Sequence, residues 1–74
     1  MNAEYERILG QNIRRLRLAR HLSQEQLSAQ LQVRGCDITR SALAKIEVGQ
    51  RHIYPDELKA MREIFRIAFD ELII

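Results

Sequence analysis

Apolar residues recur along this chain at intervals of three and four, the spacing of one face of an α-helix. We find no strand pattern and therefore predict an all-α fold of five helices. They cover about residues 3–20, 24–31 and 40–48, begin again near Pro55, and end in a short turn around residues 69–72. The predicted buried positions are Ile8, Leu9, Ile13 and Leu16; Leu27 and Leu31; Ala42, Leu43 and Ile46; and Leu58, Met61, Ile64 and Phe65.

Polar residues and glycines mark where these helices begin and end. Ser23 and Gln26 have the spacing of a capping box, in which each residue satisfies a free backbone N–H of the other. Thr39 is a second N-cap candidate. His21 is expected to end the first helix in a left-handed conformation, and Gly49 to end the third, where a positive φ costs glycine little.

The connection between the second and third predicted helices covers residues 32–38. Gly35 and Asp37 supply turn residues, and we expect Val33, Cys36 and Ile38 to point inward. The register of the third helix depends on this connection.

Composition limits the chain to one small domain, which we assign to residues 1–74. The 46% hydrophobic content with no Trp, two Tyr and two Phe predicts an aliphatic core. A single cysteine, Cys36, forms no internal disulfide, and this favours a reducing cytoplasm; we expect it to pack in the turn rather than to act as a redox switch. No apolar run approaches the ~20 residues of a membrane span, and no signal peptide opens the chain.

The net charge of +2 conceals an asymmetry. Residues 7–51 carry nine Lys or Arg against three acidic residues, whereas both ends of the chain are acidic. The positive charge therefore coincides with the second and third predicted helices, where it would favour a nucleic-acid partner.

The segment of about residues 23–49 has the arrangement of a helix-turn-helix, two short helices of which the second exposes basic and hydroxyl groups. Together with its flanks it resembles the Cro/repressor-type (XRE) helix-turn-helix family over about residues 9–72. The resemblance implies a lambda-repressor-like, DNA-binding fold. It rests on Ile13, Leu16-Arg17, the run Leu22-Ser23-Gln24-Glu25-Gln26-Leu27, Ile38-Thr39, Leu43, Ile46-Glu47, Gly49 and Arg51.

The resemblance also bears on two irregular points. Gly10 inside the first helix is either a tolerated surface glycine or, as the family suggests, a point of close helix packing. Before the last helix the family usually has Gly or Asn and then Ser, whereas this chain has Arg66 and Ala68. The fourth and fifth helices therefore either merge or meet at an irregular joint.

Four positions on the third helix match the family's base-reading residues: Arg40, Ser41, Ala44 and Lys45. Arg40 follows the N-cap, and a guanidinium there can donate two hydrogen bonds to guanine. Ala44 can contact a thymine methyl group. The bland alternative is that Arg40 and Lys45 are ordinary solvated charges.

Phosphate contacts are expected at both ends of the motif. Gln24 resembles the family glutamine that binds phosphate and braces the recognition helix, and the helix N-terminus beside it favours an anion. Arg34, Arg51 and His52 are further candidates. We interpret Arg14, Arg15 and Arg20 as general surface charge; the alternative is that one of the three approaches the DNA backbone.

Arg17 and Glu47 occupy the positions at which the resembled family forms a largely buried ion pair between the first and third helices. We therefore expect them to support the fold rather than to touch DNA.

No pattern of an enzyme, a metal site or a cofactor site is present, so we expect no catalysis and no cofactor. The favoured function is a bacterial or phage transcriptional regulator, a repressor that binds an inverted-repeat operator as a homodimer. The alternative is an antitoxin or protein-interaction module with a toxin or other protein partner. We expect Phe69 and Leu72 to fill the core, and Ile73 and Ile74 to contact the second subunit.

Overall fold

The computed structural model describes residues 3–73, which form five α-helices and no strand. The all-α prediction is confirmed, and the helix boundaries differ from those predicted by one or two residues. Helix α1 packs against α3 and α5, and α2 packs against α3 and α4. The helices are α1 (Ala3–Ala19), α2 (Gln24–Val33), α3 (Arg40–Glu47), α4 (Pro55–Phe65) and α5 (Phe69–Ile73).

The predicted caps set the starts of α2 and α3. The Ser23 hydroxyl accepts from the backbone N–H of Gln26 at 3.0 Å, and the Gln26 side-chain oxygen accepts from the Ser23 N–H at 2.8 Å. The Thr39 hydroxyl accepts from the backbone N–H of Ala42 at 3.1 Å. Each cap satisfies a donor that the first helical turn leaves free.

Residues with positive φ follow the first four helices, and among them Gly35, with φ of 86°, ends α2. His21 follows α1 with φ of 56°, and Gly49 follows α3 with φ of 79°, as the sequence predicted. Arg66 ends α4 with φ of 56° and ψ of 50°, and its N–H donates to the carbonyl of Arg62. Helices α4 and α5 therefore do not merge, because an arginine adopts the conformation usual for Gly or Asn.

The core lies between the five helices and is mostly aliphatic, as predicted. Leu58 and Ile64 are only partly buried and pack against its edge, and Cys36 and Ile38 in the connection point inward. The buried apolar residues are Leu9, Ile13, Leu16, Leu27, Leu31, Cys36, Ile38, Leu43, Ile46, Ile53, Ala60, Met61, Phe65 and Leu72.

Three apolar residues predicted to be buried are exposed. Val33 is 89% exposed, because it lies two positions beyond the buried Leu31, about 200° around the helix. Ile8 is 37% exposed, on the flank of the stripe through Leu9. Phe69 is 48% exposed, because α5 is little more than one turn long and buries only Leu72.

The carboxy-terminal residues were predicted to contact a second subunit. Ile73 is partly buried and packs against the domain's own core. Ile74 lies outside the described residues.

Helix α1 approaches the end of α3 at backbone distance. A Cβ placed on Gly10 would lie 2.1 Å from the carbonyl oxygen of Ile46 and 3.0 Å from that of Glu47. Of the two interpretations of Gly10, close helix packing is therefore correct, because any side chain there would force α1 and α3 apart.

Replacing Gly10 with alanine tests this contact. We expect Gly10→Ala to lower the free energy of unfolding by about 1–3 kcal/mol, the usual cost of overpacking. Helix propensity alone would raise it by about 1 kcal/mol. Chemical denaturation distinguishes these signs, with Gln11→Ala, an exposed position on α1, as the control. A stabilised Gly10→Ala variant would show that the two helices do not meet as described.

Candidate nucleic-acid interface

The start of α3 is held to α2 by side chains that span the connection. The buried Ser28 hydroxyl donates to the carbonyl of Ile38 at 2.6 Å. The Gln32 amide donates to the same carbonyl at 3.3 Å and to the Ser28 hydroxyl at 3.3 Å. These bonds fix the first residues of α3 although the connection itself is irregular. Sequence reasoning gave Ser28 no such role.

The end of α3 is held by a buried ion pair with α1. Arg17 Nε donates to Glu47 Oε2 at 2.7 Å, and Arg17 Nη2 donates to Glu47 Oε1 at 3.0 Å. The third guanidinium nitrogen of Arg17 donates to the carbonyl of Leu22 at 2.7 Å. Gln24 Nε2 donates to Glu47 Oε1 at 3.1 Å and so adds the start of α2. One carboxylate thus connects α1, α2 and α3.

The side of α3 that faces away from the buried Leu43 and Ile46 is open. Arg40, Ser41 and Lys45 are exposed, and Ala44 is partly buried. We call these four positions the exposed edge of α3. The side chains of Arg40 and Lys45 form no ion pair or hydrogen bond with any other residue in the range 3–73. Both cations are therefore available to an external partner.

The helices that carry this edge match a known family. A family model described as helix-turn-helix matches residues 13–72 of the chain. The chain belongs to this family. It is a DNA-binding helix-turn-helix protein of the Cro/repressor (XRE) type, and its five helices have the lambda-repressor-like fold of that family. Comparisons with curated proteins and with solved structures gave no match.

Three of the four predicted phosphate ligands, Arg34, His52 and Arg51, are paired with acidic residues. Arg34 Nη1 lies 3.5 Å from Glu63 on α4, with both side chains about two-fifths exposed. His52 Nδ1 lies 2.5 Å from Glu6 on α1. His52 also packs edge-on against Tyr54, with ring centroids 5.0 Å apart. These side chains connect the loops to neighbouring helices.

Arg51 is held more firmly. Its guanidinium donates to both carboxylate oxygens of Glu57, at 3.0 and 3.1 Å. The backbone N–H of Tyr54 also donates to Glu57. Burial acts to raise the pKa of Glu57, but these hydrogen bonds outweigh it and the pKa is lowered. Its hydrogen bonding to Glu57 in turn raises the pKa of Arg51. The pair fixes the loop that follows α3.

Two further polar residues, Arg20 and Asn12, bind backbone carbonyls of α4 and α5. Arg20 Nε donates to the carbonyl of Phe65 at 2.9 Å, and its guanidinium lies 5.4 Å from the centre of the Phe65 ring. Asn12 Nδ2 donates to the carbonyls of Glu71 at 2.8 Å and Leu72 at 2.5 Å. Arg20 therefore binds the carbonyl of the last residue of α4 and is not free surface charge. No sequence signal identifies either role, because the acceptors are backbone carbonyls.

The remaining chemistry of the described residues is sparse. Cys36 is buried with its thiol 3.9 Å from the carbonyl of Asp56. Burial, and then the charges of Asp56 and Glu57, raise the pKa of the Cys36 thiol. It therefore packs as a small apolar side chain. Within residues 3–73 no group of His, Cys, Asp and Glu could hold a metal ion, and no helix is long and apolar enough to cross a membrane.

Proposed function

We propose that this protein is a sequence-specific transcriptional regulator, a repressor that contacts operator bases through the exposed edge of α3 in the cytoplasm. The observation that carries the proposal is the contrast between the two sides of α3. Leu43 and Ile46 are buried in the core, whereas Arg40 and Lys45 are exposed and have no side-chain partner within residues 3–73. A helix held rigidly on one side and cationic on the other is suited to the major groove.

Each residue of the exposed edge has a distinct chemical role in this proposal. Arg40, in the first turn of α3, donates two hydrogen bonds to guanine O6 and N7, and such a pair gives about 1–3 kcal/mol of base discrimination. Ser41 and Lys45 offer donors on the same side of the helix. Ala44 is small enough for α3 to approach a thymine methyl group closely.

Phosphate contacts flank this edge in the proposal. Gln24 lies in the first turn of α2, where free N–H groups and the helix dipole favour an anion. Arg34 and Arg51 would share their charge between an intramolecular carboxylate and a phosphate, and His52 would offer a ring nitrogen as a hydrogen-bond donor. Such contacts position the protein without selecting sequence.

A single recognition helix spans only a few base pairs. We therefore propose a homodimer that places two α3 helices roughly 34 Å apart on an inverted-repeat operator, where occupancy would block or redirect polymerase. The candidate subunit contact is the carboxy-terminal end, where the half-exposed Phe69 and the partly buried Ile73 lie. We take residues 1–74 as one DNA-binding domain in this scheme.

Base contact by Arg40 is tested on an operator obtained by selecting bound duplexes from a random pool. We expect Arg40→Ala to weaken operator binding by about 1–3 kcal/mol and to relax preference at one base position. Arg34→Ala is the matched control, because its surface ion pair contributes little to the fold; it should weaken operator and random DNA alike. Equal losses on both DNAs for Arg40→Ala would contradict the placement of the edge. Failure to enrich any sequence would favour the antitoxin or interaction module instead.

The subunit contact is tested by removing the last two residues, Ile73 and Ile74. We expect the intact protein to be a dimer in sedimentation and the shortened protein to be a monomer that binds half-sites weakly. Leu18→Ala, an exposed apolar position on α1, is the control and should leave the dimer intact. A shortened protein that remains dimeric, free and on DNA, would exclude this surface.

A further inference from the structure

Two arginines of α1, Arg14 and Arg15, and Arg20 directly after it look alike in the sequence but differ in the structure. Arg20 donates to the carbonyl of Phe65. Arg15 donates through Nε at 3.1 Å and Nη2 at 2.6 Å to the side-chain oxygen of Asn12. Arg14 is exposed and its side chain has no hydrogen-bond or ion-pair partner within residues 3–73. Of the three, only Arg14 makes no side-chain hydrogen bond within residues 3–73.

Arg14 lines a groove between α1 and the end of α3. Positions 7, 11 and 14 are four and three residues apart and so share one side of α1. Residues 47 and 48 form the opposite wall. We call this the α1–α3 groove, and its lining residues are Arg7, Gln11, Arg14, Glu47 and Val48.

Two close backbone approaches fix the groove beside α3. Gly10 brings α1 against the carbonyls of the last turn of α3. At Gly49 an added Cβ would lie 2.8 Å from the Cα of Arg7. Neither contact leaves room for a side chain, so the arginines of α1 stay next to the end of the recognition helix.

The groove continues the exposed edge of α3. Val48 is exposed and follows Lys45 by three residues, which places the two on the same side of the chain at the end of α3. A DNA backbone that runs from Lys45 past Val48 would reach Arg14 next.

The groove is electrostatically positive. Its one lining acid, Glu47, has only 1% of its side chain exposed and is paired with Arg17. Glu4 partly offsets Arg7 through a surface ion pair. Arg14 has no such partner among the described residues, so the net charge facing solvent is cationic and complements a phosphate.

We infer that the α1–α3 groove binds the phosphate backbone of the duplex alongside the recognition helix, with Arg14 as the direct phosphate ligand. The inference rests on the proposed function and adds a site outside the helix-turn-helix to it. Because Arg14 contacts only phosphate, it strengthens binding to every sequence and does not alter base preference.

The test compares Arg14→Gln with Lys59→Gln, which removes the same charge from an exposed position on α4 that has no side-chain partner within residues 3–73. Affinity for the selected operator and for a random duplex is measured across a salt series. We expect Arg14→Gln to reduce the slope of log affinity against log salt by about 1 on both duplexes. Lys59→Gln should leave the slope unchanged, and Arg14→Lys should restore it.

The outcomes separate this inference from the proposed function. If the intact protein binds operator with a steep salt dependence but Arg14→Gln matches Lys59→Gln, the groove is not a phosphate site. A fall in melting temperature with an unchanged slope would mean that Arg14 only offsets the negative end of the α3 dipole. If the intact protein binds no DNA, the proposed function itself fails.

Discussion

The position of α3 depends on the buried ion pair between Arg17 and Glu47. Both side chains are nearly inaccessible and meet through two hydrogen bonds, and Gln24 adds a third to the same carboxylate. Removing one partner of such a pair costs about 3–5 kcal/mol, because it leaves a buried charge uncompensated. A domain of this size has a total stability of about 4–11 kcal/mol by the per-residue range. The recognition helix α3 is therefore held in place only while Arg17 and Gln24 remain bonded to Glu47.

Two glycines, Gly10 and Gly49, allow α1 and the end of α3 to lie close together. Arg17 reaches Glu47 because Gly10, two helical turns earlier on the same side of α1, lets the helix lie against the carbonyls of α3. The left-handed Gly49 then turns the chain away directly after α3, with the N–H of Gln50 donating to the carbonyl of Lys45 at 2.8 Å. The same close packing places the α1–α3 groove beside the exposed edge. The contact between α1 and α3 therefore supports the fold and also positions the candidate DNA surface.

Local signals made much of the fold predictable from the sequence. Ser23, Thr39, His21 and Gly49 mark helix ends through their own backbone preferences, and the structure has each of them in the predicted role. The errors arose where burial depends on the neighbouring element. Val33 has an apolar side chain but lies on the side of α2 away from the core.

Only part of the candidate site could be predicted from the sequence. The residues of the exposed edge follow from the motif, because their positions along α3 determine which side they occupy. The roles of Arg20, Asn12 and Ser28 were not predictable, because each bonds to a backbone carbonyl brought near only by the tertiary fold. Arg15 differs from Arg14 because it bonds to the side-chain oxygen of Asn12, whose amide in turn donates to the carbonyls of Glu71 and Leu72.

The most direct test of this account is a comparison of Glu47→Ala with the double variant Arg17→Met, Glu47→Leu. Free energy of unfolding and operator affinity are measured on each. We predict that Glu47→Ala lowers the unfolding free energy by about 3–5 kcal/mol and loses binding as a consequence. The double variant should recover part of both, since no charge remains buried. A Glu47→Ala protein with wild-type stability and no DNA binding would contradict the account, because it would place Glu47 in the DNA interface.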